Sequence, residues 1–246
     1  MQKTILFAVS LLMVFAAAAQ ADLVGLWHLD GNTNDSSGKG NDGTIIGTLS
    51  YVTGYSGQAL AFDGGSNYVD CGNDPSLKPV TNMTIAMWVN PGASQHTYAD
   101  ILGGHQYNQG YVVQQNGTDT NAYYFAYNRD GTYTGWQGTG IVTHLTPGKW
   151  QQFVVQKDGN TIRHYVDGVL TASGTVSGDI FYRPGEDFYL GIGYLPWSGR
   201  NFTGTLDEVS IWNGVVAPGA VPIPGAVLLG ALGLSVAGWR LRRETV

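Results

Sequence analysis

Trp150-Gln151-Gln152-Phe153-Val154-Val155-Gln156-Lys157-Asp158-Gly159-Asn160-Thr161-Ile162-Arg163-His164-Tyr165-Val166-Asp167-Gly168-Val169 decides the fold class. Two runs rich in β-branched and aromatic residues meet at Asp158-Gly159, and the second run ends at another Asp-Gly. Asp-Gly between such runs signals a tight turn, because glycine accepts the positive φ that a two-residue hairpin loop demands. The stretch predicts one hairpin around Lys157-Asp158-Gly159-Asn160 and a second around Val166-Asp167-Gly168-Val169.

The same grammar runs outward in both directions. Strand-like runs occupy 23–29, 58–62, 67–71, 83–90, 110–115, 122–127, 187–193 and 202–212, with Asp63-Gly64, Asn116-Gly117 and Asp130-Gly131 among the turn markers. Many short strands separated by turn residues, with no long helical periodicity, predict an all-β fold: a two-sheet antiparallel jelly-roll sandwich. No internal repeat interrupts 22–216, a length suited to one domain, and a Pro/Gly linker begins at Ala217-Pro218-Gly219.

The ends have a different composition. Residues 1–21 carry one positive charge, Lys3, then an uncharged apolar run that closes in Ala19-Gln20-Ala21. This small-x-small ending predicts a removable signal peptide and a mature chain beginning at Asp22. From Val221 to Trp239 there is no charged residue, and Arg240, Arg242 and Arg243 follow. Pro222 and Pro224 delay any regular helix to about Gly225, which predicts one short C-terminal apolar helix with its basic end on the cytoplasmic side. Val221, Pro222 and Pro224 before an apolar span and an Arg cluster resemble a PEP-CTERM sorting signal, with Ile223 where the name-giving motif has Glu. That resemblance implies membrane retention through 217–246, an exosortase-type sorting peptidase as partner, and a cell-envelope or extracellular destination.

Residues 22–216 carry 17 acidic and eight basic side chains. That excess of negative charge repels phosphate and excludes a nucleic-acid partner. Cys71 is the sole cysteine, so no intrachain disulfide forms, and its place in a strand-like run predicts a buried, unreactive thiol.

Six runs in order resemble laminin-G-like, concanavalin-A-like jelly rolls: Gly25-Leu26-Trp27-His28-Leu29-Asp30-Gly31, Gln58-Ala59-Leu60-Ala61-Phe62-Asp63-Gly64, Thr84-Ile85-Ala86-Met87-Trp88-Val89, Trp150 to Val155, Tyr165-Val166-Asp167-Gly168 and Gly204-Thr205-Leu206-Asp207-Glu208-Val209. The resemblance covers nearly all of 22–216. It implies two antiparallel sheets, frequent calcium binding, and use in glycan or matrix recognition. Trp27, Trp88, Trp150 and Trp212 fall in these runs and are expected in the core.

Catalytic signatures are sparse. Glycoside hydrolysis needs two carboxylates flanking the scissile bond. The domain has two glutamates, Glu186 in a turn-like stretch and Glu208 directly after Asp207, where adjacent side chains of a regular strand point to opposite faces. No Gly-x-Ser-x-Gly or His-Glu-x-x-His motif occurs. Gly38-Lys39-Gly40-Asn41-Asp42-Gly43 spells Gly-x-Gly-x-x-Gly, but it lies in an Asn/Asp/Ser-rich loop and runs into strand-like Thr44-Ile45-Ile46, so it reads as a turn.

Asp30, Asn32 and Asn34 alternate in an oxygen-rich loop that suits a hard cation, the competing reading being Asx turns capped by their own backbone. Asp207 is expected to share a strand face with Val209 and Ile211, and a buried carboxylate needs a counter-charge or several donors. These four residues form the candidate structural Ca²⁺ site.

For ligand contact, Tyr98, His105, Tyr107, Tyr111, Tyr123, Tyr124, Tyr127, Tyr133 and Trp136 crowd the middle of the chain. Sugars stack on exposed aromatic faces, whereas most strand aromatics fill a core. Tyr107, Tyr133 and Trp136, with Arg129 and Gln137 as polar partners, are the candidate glycan contacts. The expectation is an exported, non-catalytic, lectin-like module with a glycan or exopolysaccharide partner. The alternatives are an adhesive matrix protein with a protein partner and, third, a hydrolase or lyase on the same fold.

Overall fold

Both hairpins form. Asp167 and Gly168 take φ of +50° and +78°, so Val166 pairs with Val169 across a two-residue loop. In the other hairpin Asp158 pairs with Thr161. A computed structural model describes residues 21–117, 119–193 and 199–220. Residues 1–20 of the expected signal peptide and the sorting residues Val221, Pro222, Pro224, Arg240, Arg242 and Arg243 lie outside the described residues.

In chain order the strands are β1 (Asp22–Trp27), β2 (Thr44–Ile46), β3 (Ser50–Thr53), β4 (Gln58–Asp63), β5 (Tyr68–Asp70), β6 (Met83–Pro91), β7 (Asp100–Gly104) and β8 (Tyr111–Asn116). They continue with β9 (Asp119–Asn128), β10 (Trp136–Gln137), β11 (Val142–His144), β12 (Gln151–Asp158), β13 (Thr161–Val166), β14 (Val169–Thr175), β15 (Tyr189–Leu190) and β16 (Thr203–Asn213). One sheet runs β14-β13-β12-β6-β16-β4-β3, with β1 also on β16. The other runs β10-β9-β8-β7-β15-β5-β2, with β11 also on β9. Consecutive strands pair in β3-β4, β7-β8-β9-β10 and β12-β13-β14, and strands distant in sequence are joined elsewhere: the last strand, β16, is paired with β1, β4 and β6. The fold is the all-β antiparallel sandwich expected from the turn spacing.

The inner faces supply the core, and the two-residue period decides which side chains enter it. On β8 and β9, Tyr111, Val113, Tyr123, Phe125 and Tyr127 join the main core cluster. Their neighbours Val112, Tyr124 and Ala126 form a separate cluster on the opposite face. Cys71 is buried and free, and burial raises its thiol well above the ordinary range. Asp35 ties down the loop after β1 by accepting from the backbone N–H groups of Leu26, Ser37 and Asn41. The Gly38–Gly43 stretch belongs to that loop and leads into β2, not into a helix.

Two expectations are corrected. Of the four tryptophans assigned to the core, only Trp27 is fully buried; Trp88, Trp150 and Trp212 are half-buried. And Asp207 does not share a face with Val209 and Ile211. Glu208 takes φ +50°, and the pairing with β6 slips between Asp207 (opposite Trp88) and Ser210 (opposite Ala86). This β-bulge inserts one residue and reverses the alternation. Val209 and Ile211 face the core, while Asp207 lies under the β3–β4 turn, accepting from the Ser56 N–H at 3.0 Å.

Candidate functional site

The outer face of the β7-β8-β9-β10 sheet carries a cleft of about 620 Å³. Its floor follows from strand alternation. Val112 and Gln114 of β8 and Tyr124 and Ala126 of β9 point into it, because Tyr111, Val113, Tyr123 and Phe125 point into the core. Among the described residues its walls come from Tyr98 before β7, His105, Tyr107 and Asn108 after β7, and Tyr133, Trp136 and Thr139 after β9. Arg200 closes one side.

The floor is a buried polar chain. Tyr124 donates its phenol proton to Gln114 Oε1, and Gln114 donates to Asp100 Oδ1. The other Asp100 oxygen lies 3.1 Å from His105 Nε2. Asp100 is fully buried, and His105, Gln114 and Tyr124 nearly so. Burial, with Asp100 as the next contributor, raises the Tyr124 phenol far above its ordinary range, so it is neutral. A buried carboxylate is tolerated because each oxygen is hydrogen-bonded.

The walls are aromatic and exposed. Tyr133 is 83% exposed, Tyr107 64% and Tyr98 40%. Trp136 is half-buried against Val112, Tyr124 and Ala126. Its ring meets His105 edge-on at 5.6 Å, and its Nε1 donates to Asn108 Oδ1 at 3.3 Å. The Tyr98 ring lies 5.4 Å from the Arg200 guanidinium. Tyr98, Tyr107 and Asn108 take φ of +61°, +56° and +57°. Left-handed backbone at non-glycine residues costs about 1–3 kcal/mol each, and such strain clusters at ligand sites. Three of the six such residues among the described residues stand at this rim.

Tyr107, Tyr133 and Trp136 of the sequence expectation therefore meet in one cleft. Arg129 does not join them: its guanidinium lies 3.5 Å from Asp130 and donates to Ser177 Oγ. The basic residue of the cleft is Arg200, which sequence reasoning missed. Its place follows from a long-range pairing, the Asp100 N–H donating to the Arg200 carbonyl at 2.7 Å. Asn108, Gln114 and Tyr124 also line the cleft and were not among the expected contacts; strand alternation beside Tyr123 and Phe125 was the available signal for Tyr124.

Neither glutamate lies on the cleft lining. Glu186 is buried and accepts from the Gln106 N–H at 2.7 Å and from Gln109 Nε2 at 2.6 Å. Burial raises its carboxyl, against those hydrogen bonds. Glu208 pairs with His28 Nδ1 at 2.8 Å, and burial raises it too.

The calcium candidates are only partly assembled. Asn32 closes an Asx turn on the Asn34 N–H at 3.0 Å and donates to the Asp30 carbonyl, so its amide serves its own loop. Asp30 and Asp207 both reach the β3–β4 turn, Asp30 accepting from the Gln58 N–H at 2.6 Å. Gly54 permits this, since a Cβ there would stand 2.6 Å from Asp207 Oδ2. Asp207 Oδ1 is buried without a hydrogen-bond partner. Burial pushes this carboxyl up to about 7, assisted by the charges of Glu208 and Asp30. Among the described residues, no group of three His, Cys, Asp or Glu side chains is placed to hold a metal.

Residues 63–221 match the family model of the concanavalin A-like lectin/glucanases superfamily, Laminin_G_3. No curated protein sequence matches the chain. Among solved structures, domain 4 of AbnA, a GH43 extracellular arabinanase from Geobacillus stearothermophilus in complex with arabinotriose, is similar, with TM-score 0.67 and 24% identity, over 82% of this chain and 97% of that one. The binding domain of Paraclostridial Mosquitocidal Protein 1 superposes with TM-score 0.64 at 14% identity, over 81% of this chain and 51% of its own length. The binding domain of botulinum neurotoxin serotype G gives 0.61 and 15%, over 82% and 50%. The chain thus spans about half the length of these toxin domains, and at such identities the likeness shows a shared fold. By the family match and the two-sheet architecture together, the chain belongs to the concanavalin A-like lectin/glucanase superfamily.

Proposed function

We propose that the cleft on the β7-β8-β9-β10 sheet binds a carbohydrate without turning it over. One observation carries the reading: exposed Tyr98, Tyr107 and Tyr133 and half-buried Trp136 stand around a cleft of about 620 Å³ whose floor sets Gln114 and Tyr124 beside Val112 and Ala126. Aromatic faces offer stacking surfaces for the C–H side of sugar rings, and Asn108 and Arg200 bring polar groups of the rim toward the hydroxyls. The volume lies within the usual range of about 300–1,000 Å³ for small-molecule sites. The similar arabinanase domain, solved with arabinotriose, supports the ligand class. Glu186 supports absence of turnover, because both its oxygens are already engaged by the 105–109 loop.

The test is retention of the purified domain in affinity gels containing neutral, acidic or sulfated polysaccharides. Retention by at least one, lost in Trp136→Ala and weakened in Tyr133→Ala, is the expected result. No retention by any of them refutes the carbohydrate reading and favours the adhesive alternative. Release of reducing ends or unsaturated sugars refutes the non-catalytic part.

Two further assignments belong to the proposal. Asp30 and Asp207 hold a calcium ion; the unpartnered, buried Asp207 Oδ1 supports a cation there. The protein is exported with Asp22 as its mature N-terminus and is held at the cell envelope through 217–246, a reading supported by the small-x-small ending and the apolar, Arg-flanked tail.

A further inference from the structure

We infer that Glu186 is the positioning residue of the cleft: touching no ligand itself, it holds the strained 105–109 loop so that Tyr107 and Trp136 present their faces together. The inference rests on the carbohydrate reading for its binding consequence, but its structural part stands by itself.

The loop between β7 and β8 has to turn back within six residues, and it does so through two consecutive left-handed residues, Tyr107 and Asn108. Asn108 tolerates this region, but Tyr107 has no such freedom, so its backbone persists only where its surroundings over-determine it. The turn is held from one side. Glu186 Oε1 accepts from the Gln106 N–H immediately before the left-handed pair, and Oε2 accepts from Gln109 Nε2 immediately after it. Gln109 then accepts from the Arg183 N–H, tying the loop to the 183–187 turn that carries Glu186. The Gly110 N–H donates to the Phe181 carbonyl at 2.8 Å, a further anchor on the same segment. Glu186 and Gln109 are both buried, so water does not compete for these bonds.

The consequence reaches the cleft through Asn108. Its side-chain oxygen accepts from Trp136 Nε1, and the same loop begins with His105, whose ring lies edge-on to Trp136. The opposite rim repeats the device: buried Gln115 accepts from the Tyr98 N–H at 2.8 Å and donates to the Asp119 carbonyl at 2.6 Å. A carboxylate or amide behind each wall fixes a left-handed aromatic in front of it. A cleft preorganised in this way binds without the entropic cost of ordering its loops.

The experiment is Glu186→Ala in the full domain, with Glu186→Gln, which retains one acceptor, as the conservative partner. Amide hydrogen exchange and the Trp136 indole N–H resonance are followed without ligand, and polysaccharide affinity is measured separately. The expected result is selectively faster exchange across 105–109 and a shifted or broadened Trp136 signal, with a cooperative melt. Affinity for the polysaccharide retained by the wild type falls at least tenfold in Glu186→Ala, and by less in Glu186→Gln. If Glu186→Ala does not fold, the same readouts in Glu186→Gln decide. Unchanged loop exchange and an unchanged Trp136 signal overturn the clamp whatever the affinity does. A loosened loop with wild-type affinity overturns the positioning role. Absence of polysaccharide binding by the wild type, with the loop loosened by Glu186→Ala, overturns the carbohydrate reading and leaves the clamp standing.

Discussion

Replacing Asp207 by Asn isolates the most perturbed carboxylate outside the cleft. Its Oδ2 accepts from the Ser56 N–H, its Oδ1 has no partner, and Glu208 and Asp30 add negative charge nearby. Burial pushes the carboxyl up to about 7, from an ordinary value of 3.8. A folded-state value above the unfolded one means that the native protein binds the extra proton. Asp207 therefore costs nothing below about pH 4, and its cost grows as pH rises and is complete above about 7. At 1.36 kcal/mol per pH unit this rise corresponds to about 4 kcal/mol, which solvent screening lowers to about 2–4 kcal/mol. Asn has the shape of the protonated acid and keeps the acceptor for Ser56. About a third of that cost is already present at pH 5, so urea unfolding of both proteins in EDTA, at about pH 5 and about pH 8.5, should show the variant gaining on the wild type by about 1–3 kcal/mol at the higher pH. A difference independent of pH would refute the assignment of a raised Asp207. Calcium supplies the second arm. A ligand bound only to the folded state adds about 2.7 kcal/mol at a hundredfold excess over its Kd. If the ion sits on Asp207, millimolar calcium stabilises the wild type at high pH and leaves the variant unchanged. An equal response in both proteins, or none in either, rejects calcium at this residue.

Buried His164 is lowered to about 4 by burial alone. Its stability contribution is full above about pH 6.5 and is lost as pH falls toward 4, about 3 kcal/mol in all; acid-side unfolding of His164→Gln should lack that slope. Tyr133→Ala removes a ring that is 83% exposed, so its melting temperature should stay close to the wild type while polysaccharide affinity falls roughly tenfold, about 1–2 kcal/mol. Gly168, at φ +78° in the second hairpin, should cost about 1 kcal/mol or more on change to Ala, read as a lower urea midpoint with an unchanged slope. Mass spectrometry of the native protein should give Asp22 as its first residue, and deletion of 222–243 should release the domain from the envelope; unchanged retention would sink the sorting assignment.

The all-β class, the two Asp-Gly hairpins and the buried cysteine were legible in the sequence, because each follows from local physics. Glycine permits the turn, alternation marks the strand, and an apolar neighbourhood buries a thiol. Alternation also says that Tyr123 and Tyr124 face opposite ways, but not which of them is inside. That depends on where β9 lies between β8 and β11, and on what the other sheet covers. The bulge at Glu208 was illegible for a similar reason. One left-handed residue in an otherwise regular strand moved Asp207 from the core face to the underside of a distant turn. Tyr107, Tyr133 and Trp136 of the aromatic-rich stretch line one cleft, since loop aromatics between strands of one sheet gather on its rim. The polar partner was decided by contact across about 100 residues: Arg200 is brought beside Tyr98 by backbone pairing with Asp100, whereas Arg129 is near in sequence and turns to Asp130 and Ser177. Local chemistry determined the elements, and non-local pairing determined which side chains share a surface, because hydrogen-bond register between remote strands is selected by packing the whole sandwich at once.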